Sequence, residues 1–280
     1  MISDHDELQR RNRDWWEANP MTYDWARTLN LQPGTPEFYA AIDGRFFRSS
    51  APFGHPDYPR QPPFARQIDY PALRGKRVLE IGCGAGAMAA AFAREGALIS
   101  AIDITQIAVD FTRRRFEILG LGGDIRPMDA EHLQFPDEQF DHVWSWGVIH
   151  HSAAIKAIIA EIHRVLKPGG KAQVMIYHRH SLRNWILAAW GQGLLRGKFL
   201  TPPYDEILRS VTDGYIARHV SVADGRRLFA AFSSVRTELT DLADLSFIPG
   251  NVQVEKYIVG RVIPVALKHR LDNWIMRHFG

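Results

Sequence analysis

The feature that most constrains the fold is a short apolar run followed by three alternating glycines, residues 77–86, RVLEIGCGAG. Its apolar half suits a strand that is buried on both faces. The Ala-rich stretch 85–95 then predicts a helix, and Gly96 suits the C-terminal cap of that helix. A strand, a glycine turn and a helix bring bare backbone to a ligand at a helix N-terminus, because glycine has no Cβ to block the approach.

Two ligand classes satisfy this glycine pattern, and a third interpretation is a tight turn without a ligand. Gly82, Gly84 and Ala87 fit the dinucleotide fingerprint with alanine in third place, which is typical of NAD(P)-binding oxidoreductases. The same residues, counted from Glu80 to Gly86, read E-x-G-x-G-x-G. That pattern resembles the first motif of class I S-adenosylmethionine (SAM)-dependent methyltransferases, so the rest of the chain has to decide.

Composition excludes several classes of site. The net charge of the 280 residues is +3, from 34 basic and 31 acidic side chains, which is too small to argue for a nucleic-acid partner. The single cysteine, Cys83, excludes an intrachain disulfide and a cysteine-based zinc site, and no metal site is predicted. It also fits a reducing cytoplasm. The polar N-terminus does not resemble a secretory signal, and no apolar run approaches the length of a membrane span.

The N-terminal part predicts an extension of the main domain. Residues 1–35 look helical and polar, whereas 33–71 are rich in proline and aromatic side chains and are predicted to be largely irregular. Aromatic residues such as Phe46, Phe47 and Phe64 would pin the extension to the domain. The same extension would also serve as a lid over a substrate pocket.

From residue 77 onward, strand and helix patterns alternate, which predicts a parallel sheet with helices on both faces. The later predicted strands cover 98–103, a weaker segment that ends at 128, 140–146 and 172–177. Thr105 and Ser152 are the predicted caps of two intervening helices. Beyond these we expect an amphipathic helix over 182–195, an insertion at 200–227, a sixth strand near 235–242 and a last helix over 265–279.

Three later segments resemble one branch of a known family. They are MDAE at 128–131, FDHVWSWGVIHH at 140–151 and LKPGG at 166–170. Together with the glycine motif they are similar to the methyltransferase-11 branch of class I methyltransferases, which includes ubiquinone/menaquinone-biosynthesis-like enzymes. The resemblance covers about 70–180. It implies a doubly wound, mostly parallel, Rossmann-like α/β sheet of seven strands, with an N-terminal extension (1–70), a SAM-binding core (71–180) and C-terminal insertions (181–280).

The resemblance implies a cofactor site at the carboxyl ends of the strands. At the methionine end, the loop residues Gly82, Cys83, Gly84 and Gly86 would line SAM, with Glu80 supporting the loop.

The remaining cofactor contacts implied by the resemblance lie at the ends of the next strands. Asp103 would accept hydrogen bonds from the ribose hydroxyls, and Ile104 would flank the adenine. Asp129 and Ala130 would meet the adenine edge, although an aspartate in a loop also serves as a cap. The residues that would pass beneath the sulfonium are Ser145 and Trp146.

Two histidines follow the fourth predicted strand, His150 and His151. Methyl transfer is an in-line displacement in which positioning and desolvation alone can suffice, but a base helps when the acceptor must lose a proton. Histidine titrates near neutral pH and suits that role. We interpret His150, slightly ahead of His151, as the catalytic base. The alternative is that one of them only holds the loop.

The sequence therefore predicts a methyltransferase that uses SAM, releases S-adenosylhomocysteine and methylates a small, partly apolar molecule in the cytoplasm. No nucleic-acid partner is expected, and the basic, Trp-bearing tail would permit contact with a membrane surface. The alternatives are an NAD(P)-binding oxidoreductase and a non-catalytic protein that keeps the SAM fold.

Overall fold

The computed structural model describes residues 3–20, 31–49, 61–180 and 212–239. These residues fall into two compact units, which are treated separately below. One lies within Met1–Ile176 and Gly214–Arg218, and the other within Tyr177–Asp213 and His219–Gly280. The predicted helices over 182–195 and 265–279 lie outside the described residues.

The first unit contains a five-stranded parallel sheet in the order β3-β2-β1-β4-β5. The chain builds outward from β1 to β3, then crosses back to place β4 on the other side of β1. The carboxyl ends of β1 and β4 therefore flank the switch point where open α/β sheets bind ligands. The strands are β1 (Arg77–Ile81), β2 (Leu98–Asp103), β3 (Asp124–Pro127), β4 (Phe140–Trp146) and β5 (Leu166–Met175).

Helices cover the sheet and precede it. None of the helices in the described part of the chain combines the length and the apolar run that crossing a bilayer requires. In the first unit they are α1 (Asp4–Ala18), α2 (Pro36–Ser49), α3 (Tyr70–Leu73), α4 (Ala87–Arg94), α5 (Gln106–Leu119) and α6 (Ile155–Val165), with a 3₁₀ turn at Ile149–His151.

An aromatic cluster attaches the N-terminal extension to the sheet. Phe64 is fully buried, with its ring centroid 5.2 Å from that of Trp144 and 4.6 Å from that of Trp146. Phe46 and Phe47 pack against the same ring. The prediction that aromatic residues pin the extension to the domain is confirmed for these side chains.

Two local predictions were wrong, and a third needs a correction. The described part of 33–71 is less irregular than predicted, since α2 occupies Pro36–Ser49, where a proline opens the helix. Ser152 does not cap the following helix: α6 starts at Ile155 with Ala154 at the N-cap, and the Ser152 hydroxyl donates to Glu131 and accepts from the amide of Ala154. The predicted fifth strand starts at Leu166 rather than 172, so the Lys-Pro-Gly-Gly turn lies within β5, and the register of β5 against β4 shifts there.

In the second unit, α7 (Val222–Leu228) is capped by the Ser221 hydroxyl, which accepts from the backbone amide of Asp224. His178 pairs with Val220 in a single parallel bridge. The described residues 235–239 are not in a strand, and the remainder of the predicted sixth strand lies outside the described residues. The sheet thus has five strands in the described part of the chain.

Candidate functional site

The glycine loop after β1 uses its three glycines in two different ways. Gly82, Gly84 and Gly86 all have positive φ, at 78°, 53° and 74°. A Cβ at Gly82 would lie 2.2 Å from Val148, and one at Gly86 would lie 2.9 Å from Thr112, so packing demands glycine there. A Cβ at Gly84 would meet nothing within 4 Å. Gly84 therefore borders open space at the switch point, as a ligand-facing residue should.

Asp103, at the end of β2, is fixed beside that space. Its Oδ2 accepts from the backbone amide of Gly84 at 3.1 Å, and its Oδ1 accepts from the amide and the hydroxyl of Thr105 at 3.0 and 2.8 Å. Burial raises the pKa of Asp103, and the bonds from Thr105 and Gly84 oppose that rise. The structure thus presents an oriented carboxylate at the mouth of the glycine loop.

Two buried groups support the loop from beneath. Glu80 is 4% exposed and accepts from the backbone amide of Ala89, and burial raises the pKa of its carboxyl well above the ordinary value. Burial likewise raises the pKa of the Cys83 thiol, and the Thr112 hydroxyl lies 3.4 Å from its sulfur. A buried thiol with a raised pKa is a poor nucleophile, so Cys83 acts here as a packing residue.

The loop after β3 carries Asp129, which serves as a loop cap and also bonds a side chain of α1. Its Oδ1 accepts from the backbone amide of Glu131 at 2.9 Å, which is a loop cap. Both of its oxygens also accept from the side-chain amide of Gln9 in α1, at 3.1 and 3.0 Å. Ala130 beside it is buried.

A cavity of about 420 Å³ lies between α1 and the ends of β2 and β3. It brings together Ile104 and Asp129, two of the predicted adenine contacts. Other lining residues include Gln9, Arg13, Met128 and His132.

The two residues at the exit of β4 point to opposite faces of the sheet, as neighbouring strand residues do. The buried Ser145 hydroxyl donates to the carbonyl of Ile81 at 3.2 Å, joining β4 to β1 where both strands end. The Trp146 ring stacks on Trp144, with centroids 5.3 Å apart and planes 6° apart. Only the backbone of this pair, rather than both side chains, can lie beneath one ligand group.

The two histidines differ in their surroundings. His150 is fully buried, whereas His151 is 5% exposed and has the Trp16 ring edge-on at 4.9 Å. The Nδ1 atom of His151 lies 2.6 Å from the carbonyl oxygen of Ile216. A carbonyl can only accept, so Nδ1 carries the hydrogen and Nε2 of the neutral ring keeps its lone pair.

Arg218 holds the histidine loop, residues 150–154, from one side. Its guanidinium donates to the carbonyl of Ser152, and to that of Ala153 at 2.8 Å. Its backbone amide donates to the carbonyl of His150 at 3.1 Å. Sequence reasoning missed Arg218, because no local pattern relates position 218 to the loop.

Glu131 holds the same loop from the other side. It is buried, and its Oε1 accepts from the hydroxyl of Ser152 and, at 2.8 Å, from the amide of Ala154. Its Oε2 lies 2.7 Å from Nε2 of His5 in α1. Glu131 belongs to the MDAE segment that carried the resemblance, but its role was not predicted. With Gln9, it is a site residue that only the structure identifies.

Comparison with known proteins supports the resemblance that the motifs predicted. A family profile described as a methyltransferase domain matches residues 79–174, which span the glycine loop, Asp103, Asp129 and both histidines. Over these residues the chain is similar to the methyltransferase-11 branch of class I SAM-dependent methyltransferases. The predicted resemblance is thereby confirmed, and the Rossmann-like α/β fold that it implies agrees with the parallel sheet.

Named relatives of this chain differ in how much of it they match. The chain is 39% identical over 100 residues to the fatty-acid O-methyltransferase of Mycolicibacterium smegmatis. The matched residues make up 35% of this chain and 36% of that enzyme. The chain is 28% identical over 218 residues to the ubiquinone biosynthesis O-methyltransferase of Methylocella silvestris, 78% of each chain. The crystal structure of the YcgJ protein from Bacillus subtilis is 25% identical, with a TM-score of 0.46, and the match covers 60% of this chain and 65% of that one. The chain spans about a third of the first relative's length.

Proposed function

We propose that this chain is an enzyme that transfers a methyl group from SAM to a small, partly apolar molecule and releases S-adenosylhomocysteine. The observation that carries the proposal is the pairing of the Asp103 carboxylate with the open space beside Gly84 at the switch point of the sheet. Such a site offers bare backbone and a fixed acceptor to one ligand.

The residues present fit SAM, which when bound supplies a methyl group already activated by a sulfonium charge. Asp103 would accept from the ribose hydroxyls, and a charge-assisted hydrogen bond of this kind contributes about 1.5–3 kcal/mol. Ile104 and Asp129 line the neighbouring cavity of about 420 Å³, which has room for a purine base. The loop would line the methionine end with its backbone, with open space beside Gly84 and with Glu80 buried beneath.

His151, rather than His150, is the better candidate for the general base. The bond from its Nδ1 to the Ile216 carbonyl holds the ring, and in the neutral tautomer with the hydrogen on Nδ1 the basic atom is Nε2. The full burial of His150 suits a role in holding the loop. This choice reverses the slight preference for His150 that the sequence supported.

An apolar acceptor is supported by the side chains at the exit of β4. The half-buried Trp146 and Phe46 both contact Phe64 there. The names of two relatives, a fatty-acid O-methyltransferase and a ubiquinone biosynthesis O-methyltransferase, are consistent with acceptors of this kind.

The finer organisation belongs to the same proposal. Residues 1–70 would form an extension that closes over a SAM-binding core at 71–180, and residues 181–280 would complete a seven-stranded sheet and shape the acceptor pocket. The buried Cys83, the only cysteine, suits a reducing cytoplasm. The basic residues of the C-terminal segment would permit contact with a membrane surface.

Calorimetric titration of the full chain with SAM and with NAD tests the cofactor. We expect SAM to bind and NAD not to bind, and the reverse result would reject the proposal in favour of the NAD(P)-binding alternative. Transfer of a labelled methyl group from SAM to fatty acids and to catechols then tests catalysis. Binding of SAM without transfer to any acceptor in a broad panel would favour a non-catalytic SAM-binding protein.

A further inference from the structure

The glutamine at position 9 makes hydrogen bonds to two separate parts of the site. It lies on α1 and is 8% exposed. Its Nε2 donates to both carboxylate oxygens of Asp129, and its Oε1 accepts from the backbone amide of Ala153 at 3.0 Å. Asp129 follows β3, and Ala153 belongs to the histidine loop, two residues after His151. One side chain therefore connects the proposed adenine end of the cofactor site to the loop with the proposed base.

The Asp129 carboxylate keeps room for a ligand despite these bonds. A carboxylate has about four acceptor positions. The amide of Glu131 and the Gln9 side chain use two positions on Oδ1, and Gln9 uses one on Oδ2. A further position on Oδ2 remains for a donor such as an exocyclic amine. Gln9 thus orients this carboxylate toward the cavity without displacing a ligand from it.

The histidine loop depends on the same side chain. Glu131 and Arg218 bond Ser152, Ala153 and Ala154 from either side, but neither of them contacts Asp129 through its side chain. Among the described residues, Gln9 is the side chain that bonds both the Asp129 carboxylate and this loop. A change in the position of Asp129 is therefore passed to Ala153 through two hydrogen bonds.

We propose that Gln9 is a positioning residue that couples occupation of the adenine end of the site to the placement of the histidine loop. The inference rests on the proposed function, because it takes SAM as the ligand at Asp129. Glutamine suits the role since its amide donates at one atom and accepts at the other, which neither a carboxylate nor an aliphatic side chain does. α1 is then part of the reaction machinery rather than only a cover.

The test follows the backbone amide of Ala153 by hydrogen exchange in the full chain, with and without SAM, beside the SAM dissociation constant from calorimetry. In the wild type, SAM should slow exchange at Ala153 at least about tenfold. Gln9→Leu should abolish this response and weaken SAM about tenfold, equivalent to about 1.4 kcal/mol. A purely structural Gln9 would change the stability of the fold but not the response of Ala153 to SAM.

An exchanged pair provides the sharper variant. Gln9→Glu alone places two carboxylates together and should also abolish the response. In the double variant with Asp129→Asn, the new amide group at position 129 can donate to the new carboxylate at position 9, so the response of Ala153 should return. SAM affinity should stay reduced, because the Asp129 carboxylate is lost. Gln173→Leu is the matched control, since it removes a glutamine bond to the carbonyl of Gln67 in the same unit and should keep the response.

The outcomes separate the two proposals. The coupling would be overturned if SAM still slowed exchange at Ala153 in Gln9→Leu. It would also be overturned if the double variant responded no better than Gln9→Glu. Either result would leave the proposed function standing. A wild-type chain that does not bind SAM would overturn the proposed function, and the coupling with it. Loss of the response in Gln173→Leu as well would show that it reports general loosening, which also rejects the coupling.

Discussion

The glycine loop and the histidine loop lie at the same edge of one sheet but are held in different ways. The bonds that shape the glycine loop span short stretches of chain, 19 residues from Gly84 to Asp103 and 28 residues from Gly84 to Thr112. The bonds on the histidine loop span 65 residues to Ile216 and 144 residues to Gln9. One site is the product of a local β–α–β arrangement, and the other is assembled by distant segments.

This difference predicts which properties change together. Substitutions of Asp103 should alter cofactor affinity, because its carboxylate would bond the cofactor in the proposed site. Substitutions of the His151 ring should chiefly alter the rate, because that ring would face the acceptor.

The largest effect is expected at His151. His151→Ala should lower the rate of methyl transfer about 10²–10⁴-fold if the ring is a general base, with nearly unchanged SAM affinity. The wild-type rate should also rise with pH as the histidine loses its proton, and the variant should lose that rise. Steady-state kinetics across pH with a fixed acceptor measures both.

His150→Asn is the control for the histidine prediction, because it leaves the ring that is bonded to Ile216 in place. It should cost the enzyme only a few-fold in rate and keep the pH profile. A large loss in this variant, with His151→Ala close to normal, would move the base back to His150. Two nearly normal variants would leave proximity alone as the source of catalysis.

A second prediction concerns the strand on which both regions depend. His142 in β4 is 4% exposed, and burial lowers its pKa from 6.5 to about 4, with a smaller contribution from Lys171. The unfolded chain therefore takes up this proton at a higher pH than the folded chain does. Stability should be lost as the pH falls from about 6.5 to about 4, by up to about 3 kcal/mol at 1.36 kcal/mol per pH unit.

Urea unfolding at several pH values measures this loss, and His142→Phe supplies the control. Subtracting the variant's pH profile removes the carboxylates and other histidines that titrate in the same range. The wild type should lose more stability than His142→Phe between pH 6.5 and 4. Parallel profiles for the two chains would show that His142 is not held neutral by the fold.

The smallest effect is expected in the glycine-loop region. Asp103→Ala should weaken SAM at least about tenfold, equivalent to about 1.4 kcal/mol, and leave methyl transfer at saturating SAM close to normal. The same carboxylate also bonds Gly84 and Thr105, so loosening of the loop would contribute to the loss. Calorimetry and kinetics at saturating SAM separate affinity from rate.

Thr105→Val controls for that loosening, since it removes one hydroxyl donor to Asp103 but leaves the carboxylate available to a ligand. Its SAM affinity should fall much less than that of Asp103→Ala. Equal losses in the two variants would mean that Asp103 acts on the loop and does not contact the cofactor. A large change in rate at saturating SAM would instead break the division between the two regions.

The sequence by itself determined the parts of the protein that rest on short-range patterns. The apolar run of β1, the alternating glycines and the strand at Phe140–Trp146 were all predicted, because strand burial and positive φ are imposed on consecutive residues. The resemblance to a methyltransferase domain followed from motifs within 79–174. Even there, the sequence did not distinguish the three glycines: a Cβ at Gly82 or Gly86 would clash with a neighbouring side chain, whereas Gly84 borders open space.

Only the tertiary structure decided how the histidine loop is held. The hydrogen on Nδ1 of His151 is assigned by a carbonyl at position 216, and the Ser152 hydroxyl donates to Glu131, which is 21 residues away in the chain. Gln9 became a site residue because α1 crosses the ends of the strands. Such contacts join residues whose spacing along the chain carries no periodic signal, since folding alone brings them together.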